Sequence, residues 1–87
     1  MAHRGVYMQS ITFLGGVPAA IQSESLVMDF QLIAGSKNSG NIQLTLDDGP
    51  NIEHSPGTTI TLDGFDLSRL KAGGPIGHTL TIIGQTR

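Results

Sequence analysis

The chain has no cysteine and no tryptophan, and it holds one tyrosine, three phenylalanines and three histidines. The absence of cysteine excludes a disulfide framework and a thiolate nucleophile, and leaves folding indifferent to the redox state of the compartment. Charge is scarce as well: Asp, Glu, Lys and Arg make up 14% of the residues, against about 25% in an average soluble domain. The five basic residues, Arg4, Lys37, Arg69, Lys71 and Arg87, are dispersed, and the net charge is −2. No basic stripe is left to neutralise phosphates, so nucleic acid is not an expected partner. No apolar run approaches the roughly 20 residues of a membrane helix. The start, Met1-Ala2-His3-Arg4-Gly5-Val6-Tyr7, lacks the apolar stretch of a signal peptide. The expectation is a product synthesised in the cytoplasm, with no membrane partner.

What is present is neutral and polar. A chain of 87 residues makes one domain and buries only roughly 60 to 70% of its unfolded surface. Domains this small often need a disulfide, a metal or a partner. With no cysteine, and with His3, His54 and His78 far apart in sequence, partner subunits are the expected support, and a homo-oligomer the expected state. A surface rich in Ser, Thr, Gln, Asn and Gly suits extended protein contact, because charges are depleted from interface cores. A neutral extracellular β-domain would share that composition.

Twelve glycines and four prolines cut the chain into short pieces, and within them apolar residues recur at every second position, the spacing of strands. Ile42, Leu44 and Leu46 alternate with Gln43 and Thr45; Ile60 and Leu62 alternate with Thr59 and Thr61; Leu80 and Ile82 alternate with Thr79 and Thr81. Ser25 to Ala34 alternates Leu26, Met28, Phe30 and Leu32 with a partly apolar second face, and is the expected central strand. A short strand fits at about Ala19 to Gln22. In the N-terminal strand, Val6 and Met8 share one face while Ile11 and Phe13 share the other. A bulge near Ser10 would reconcile them, or the arm pairs with a neighbouring chain.

Ser36-Lys37-Asn38-Ser39-Gly40 reads as a hairpin loop, Asp47 to Gly57 as a long exposed loop, and Ala72 to Gly77 as a tight reversal. Phe65, Leu67 and Leu70 share an inward side through either a helical turn or a bulge. No stretch of ten residues carries a helical face. Six to seven short strands of this kind predict an all-β fold, a small antiparallel β-sandwich or barrel. Residues 1–16 form an N-terminal strand or arm that can make an interface, and residues 17–87 the core of a single domain.

No motif for catalysis or for a cofactor stands out. Asp47-Asp48-Gly49, with Glu53 and His54 behind it, is the one cluster of metal-type ligands, but a calcium loop needs ligands at alternate positions and these aspartates are adjacent. A solvated turn is the expected reading, and no metal is expected. His54 beside Ser55 is not a triad signature, and Gly-x-Ser-x-Gly is absent. Gly15-Gly16 and Gly73-Gly74 lack the lysine and hydroxyl of a phosphate loop and read as turns. Phe30 and Phe65 fall on the inward register. Tyr7 and Phe13 remain as a sugar platform or, better suited to their type, as anchors against a neighbouring subunit.

Four segments carry a resemblance. Gln31-Leu32-Ile33-Ala34-Gly35-Ser36-Lys37-Asn38-Ser39-Gly40-Asn41-Ile42 resembles a strand, Asn-Ser-Gly turn and second strand found in small structural proteins of tailed bacteriophages. Ser55-Pro56-Gly57-Thr58-Thr59-Ile60-Thr61-Leu62 is similar to their proline-glycine turn and strand, Asp66-Leu67-Ser68-Arg69-Leu70 to their Asp-Leu-Ser segment, and Gly77-His78-Thr79-Leu80-Thr81-Ile82-Ile83-Gly84 to their terminal strand. The resemblance covers roughly residues 17 to 87; the first sixteen residues depart from it.

The resemblance implies a β-sandwich virion protein without enzymatic activity: a head decoration (cement) protein held on the major capsid protein or another virion protein, or a fibre or adhesin module that recognises a carbohydrate or receptor. The residues expected to touch the partner are Tyr7, Met8, Ile11 and Phe13 in the N-terminal strand, and Asp48, Asn51, Glu53 and His54 in the long loop.

Overall fold

The computed structural model describes residues 6–15 and 18–86. Among the described residues there are eight strands: β1 (Val6–Thr12), β2 (Ala19–Ala20), β3 (Val27–Ala34), β4 (Ile42–Leu46), β5 (Asn51–His54), β6 (Thr59–Asp66), β7 (Leu70–Gly73) and β8 (Thr79–Thr86). A 3-10 turn, Leu67–Arg69, joins β6 to β7. Among the described residues no helix is long and apolar enough to cross a membrane. The strands form two antiparallel four-stranded sheets, ordered β1-β8-β3-β6 and β2-β7-β4-β5. That order is the double Greek key of a jelly roll, which meets the all-β sandwich expectation with one strand more than its upper count.

Alternation builds the core. Met28, Phe30, Leu32 and Ala34 of β3 and Leu80 and Ile82 of β8 point inward from the first sheet. They meet Ile42 and Leu44 of β4 and Leu70 and Ala72 of β7. β3 lies between β8 and β6, the central position expected of it. The Phe30 and Phe65 rings pack at 6.4 Å with a 58° tilt, within the favoured range for aromatic pairs.

The N-terminal strand differs from expectation. β1 runs in unbroken register with β8 from Val6↔Gln85 to Thr12↔Thr79, with no bulge at Ser10. Its odd-numbered residues face the core, and Val6 and Met8 stay in solvent at 76% and 70% exposure. The bulge lies instead between β3 and β6, where Asp63 and Gly64 oppose Asp29. Gly64 takes a φ of 62° and its N–H donates to Asp29 Oδ1 at 2.7 Å. The extra residue shifts the parity of β6, so that Ile60, Leu62 and Phe65 all pack on the core.

A second expectation, the long exposed loop over Asp47 to Gly57, gives way to a hairpin. Asp47 and Asp48 both have positive φ, 53° and 57°, and Gly49 N–H closes onto the Leu46 carbonyl at 2.9 Å. This tight turn returns the chain as β5, paired with β4 from Ile42↔His54 to Thr45↔Asn51. The reversal expected over Ala72 to Gly77 begins later, because Ala72 and Gly73 belong to β7 and are buried.

The parity break after Phe65 resolves as the helical turn. Asp66 caps it: the carboxylate accepts from Ser68 N–H (3.0 Å) and Ser68 Oγ (2.8 Å), and also from Leu26 N–H (3.0 Å) and Ser25 Oγ (2.5 Å). One side chain thereby pins the entry of β3 to the exit of β6. These donors hold the Asp66 carboxyl far below the usual carboxylate range, with the Ser25 hydroxyl contributing most.

Candidate interaction surfaces

The eight residues expected to contact a partner do not gather at one place. Tyr7, Met8 and Ile11 lie in β1 of the first sheet and Phe13 directly follows it; Asp48, Asn51, Glu53 and His54 belong to the hairpin of the second. Along this N-terminal stretch the two faces separate them further. Phe13 is a core residue at 8% exposure. Its N–H donates to the His78 carbonyl at 2.8 Å and its carbonyl accepts from Gly77 at 2.9 Å. Ile11 and Tyr7 are half-buried against the core. The Tyr7 hydroxyl donates to Gln9 Oε1, with Gln22 Oε1 at 3.4 Å, and burial pushes its phenol pKa up. Met8 alone of the four projects freely outward.

Met8 belongs to an outer sheet face of unusual character. It is the cross-strand neighbour of Ile83, which neighbours Gln31, which neighbours Thr61. Along the same face lie Val6, Val27 and Ile33 among Ser10, Thr12, Thr59, Thr79, Thr81 and Gln85. Among the described residues the face holds no basic side chain, and carboxylates enter it at Asp29 and Asp63 and, at its end beside Val27, at Asp66. A shallow depression of about 360 Å³ opens there, with Val6, Ile83 and Gly84 in its wall. Gly84 and Phe30 approach closely beside it: a Cβ at Gly84 would lie 2.5 Å from Phe30 Cβ, and closer still to the Asp29 carbonyl oxygen.

The second sheet presents a different surface. The side chains of Asn41, Gln43 and Asn51, with Pro18, Gly73 and Gly74, line a groove of about 410 Å³. Asn51 Nδ2 donates to Gln43 Oε1 at 3.0 Å, Thr45 Oγ1 donates to Asn51 Oδ1 at 2.5 Å, and Asn41 Nδ2 donates to Glu53 at 3.3 Å. Neutral amides dominate, so the groove can exchange hydrogen bonds with an uncharged ligand. Of the expected residues, Asn51 and Glu53 belong to this face. Asn41, Gln43 and Gly73-Gly74 were not among them, because outward polar residues on an alternating strand are ordinary.

Asp48 stands at the hairpin tip and is paired. Lys71 Nζ lies 2.9 Å from its Oδ1, and Arg69 Nε pairs with Asp47 Oδ1. The Lys71 hydrogen bond holds the Asp48 carboxyl below its ordinary range. Among the described residues, no group of three His, Asp or Glu side chains gathers in a metal-binding arrangement.

His54 is the clearest departure from the expected surface set. It is the inward residue at the end of β5, 1% exposed, and therefore out of a partner's reach in this fold. Its Nε2–H donates to the Thr58 carbonyl at 2.9 Å, which fixes the tautomer and leaves Nδ1 buried with no hydrogen-bond partner. Removal from water lowers its pKa. His78 is also buried, and its Nε2 accepts from the Gly40 N–H at 3.2 Å; it braces the β3–β4 connection. His3 lies outside the described residues.

Comparison with protein-family models, with curated proteins and with solved structures finds no match to this chain.

Proposed function

We propose that this chain is a virion structural protein, a capsid decoration (cement) protein that binds the major capsid protein or another virion protein and acts without catalysis. The observation that carries the reading is the outer face of the β1-β8-β3-β6 sheet, which leaves Val6, Met8, Val27, Ile33 and Ile83 facing out among threonines and glutamines. Partly apolar faces with few charges, such as this one, suit the cores of protein interfaces. Covering Met8 and Val6 alone contributes roughly 2 to 4 kcal/mol before the costs of association. Repetition on a symmetric shell multiplies a modest contact. The jelly-roll architecture adds support by fold-level analogy, since viral capsid domains use it often.

Purified protein should co-sediment with candidate heads at a saturating, symmetric stoichiometry. Heads that carry it should resist heat and osmotic shock better than bare ones. Equal resistance with and without the protein defeats the proposal.

A second reading is favoured by the amide-lined groove on the other sheet, since lectin domains also use jelly rolls. On that reading the chain is a carbohydrate-binding fibre or adhesin module, with Asn41, Gln43 and Asn51 bonding sugar hydroxyls. A glycan array would register a ligand that Gln43→Ala loses. An array with no binder at high micromolar protein removes this alternative.

A further inference from the structure

The two sheets have four outer edges: β1 and β6 in the first, β2 and β5 in the second. An unpaired edge offers its backbone to any strand that fits, and folded proteins guard such edges with short strands, charges, proline or bulges. β2 has two residues and β5 has four. β6 carries the exposed Asp63 and the Gly64 bulge. β1 has none of these guards. It is seven residues long, uncharged, without proline and in unbroken register with β8.

Backbone groups in a strand alternate between its two sides. Phe13 bonds His78 and Gly77 on the β8 side, so Phe13, Ile11, Gln9 and Tyr7 direct their backbone groups toward β8. Val6, Met8, Ser10 and Thr12 therefore direct theirs to the open edge.

We propose that a second copy of this chain occupies that edge, β1 pairing antiparallel with its own counterpart about a two-fold axis through Gln9. The first sheets of two protomers then continue as one. Val6 faces Thr12 of the partner subunit and Met8 faces Ser10 of the partner subunit, so every hydrogen-bonded pair joins two residues whose backbone groups point outward. Up to about eight inter-chain hydrogen bonds result. On the inner side Tyr7 lies across from Ile11 of the partner subunit, an aromatic and β-branched pair of the kind that stabilises sheets.

Neutrality favours the self-pairing: the two-fold axis brings no like charges together. A cleft of about 300 Å³ lies between β1 and β2 beside the same edge, with Ile11, Phe13, Leu14, Ala19 and Ile21 in its lining. Leu14 is 84% exposed at its mouth. This inference does not rest on the virion reading.

The absence of cysteine makes the test clean. Gln9 meets its own counterpart as a non-hydrogen-bonded pair, with Cα atoms about 4.5 Å apart, inside the disulfide range of about 4.4 to 6.8 Å. Gln9→Cys should cross-link into a dimer under mild oxidation, whereas Thr61→Cys, on the opposite edge strand of the same sheet, should not. Light scattering of the unaltered chain should give twice its 9.2 kDa mass. Ser10→Pro deletes an outward N–H and none that bonds β8; it should return the mass to that of one chain with an unchanged far-UV CD spectrum. A single-chain mass at all concentrations to about 1 mM overturns the proposal. So does a dimer that fails to cross-link through Gln9→Cys, whatever becomes of Ser10→Pro.

Discussion

At the scale of single residues, Gly84 and His54 show how tightly the interior is specified. Gly84 pairs with Phe30 in the middle of the first sheet, and a methyl group there collides with backbone and Cβ atoms that have no room to retreat. Gly84→Ala should destabilise the fold by about 1 to 3 kcal/mol, the cost of overpacking, read as a lower urea midpoint at an unchanged slope. His54 contributes a pH dependence. Its folded-state pKa lies below the ordinary 6.5, so below pH 6.5 the unfolded chain binds the proton that the folded chain refuses. Stability is therefore full above pH 6.5 and falls as the pH drops, by up to about 1.4 kcal/mol per unit, until the folded-state pKa is reached. His54→Gln, whose amide can still donate to the Thr58 carbonyl, should flatten urea midpoints measured between pH 6.5 and pH 5. The Asp66 carboxyl, also depressed, acts only lower, as the pH falls below the ordinary aspartate value.

At the scale of elements, the strands read most plainly in the sequence were those whose inward residues are large and apolar, while β1 and the two-residue β2 rested on weaker signals. β3, β4, β6 and β8 announce themselves through Met28, Phe30, Leu44, Leu62 and Ile82. β5 did not, because its only aliphatic residue, Ile52, faces solvent at 42% exposure while the buried position is a histidine. β7 was cut short for a related reason: its inward Ala72 and buried Gly73 read as turn residues. The β4–β5 turn was hidden because its left-handed positions hold Asp47-Asp48, where Asn-Gly is the usual signature. Replacing the pair by Asn-Gly relieves αL strain and forgoes two exposed ion pairs that contribute little. The double substitution should raise the melting temperature by roughly 3 °C or more in differential scanning calorimetry.

At the scale of the whole molecule, the eight candidate contact residues split between two opposite surfaces and an interior. Sequence spacing placed Tyr7, Met8, Ile11 and Phe13 on one strand, and only the strand's pairing with β8 decides which of them look outward. The composition had suggested an interface-forming surface, and the fold sets the exposed Val6, Met8 and Val27 on one sheet and an amide-lined groove on the other. If the apolar face contacts a shell, Met8→Lys should abolish co-sedimentation while changing stability by no more than about 0.5 kcal/mol, since Met8 is 70% exposed. The same substitution should leave any carbohydrate binding by the Gln43 groove intact, which separates the two readings in one variant.

The place of β8 has a kinetic meaning. This strand is the last to appear in the sequence, yet it lies between β1 and β3 and bonds both. Until it arrives, the first sheet has no centre: β1 has no partner and β3 has β6 alone. Completing the first sheet therefore requires β1 and β8 to pair across a long sequence separation, and the entropy of that closure is spent before the contacts return it. Such a chain belongs to the slow end of small-domain folding, milliseconds to seconds. Until β8 is in place, the hydrophobic faces of β3 and β4 lack the cover of Leu80 and Ile82.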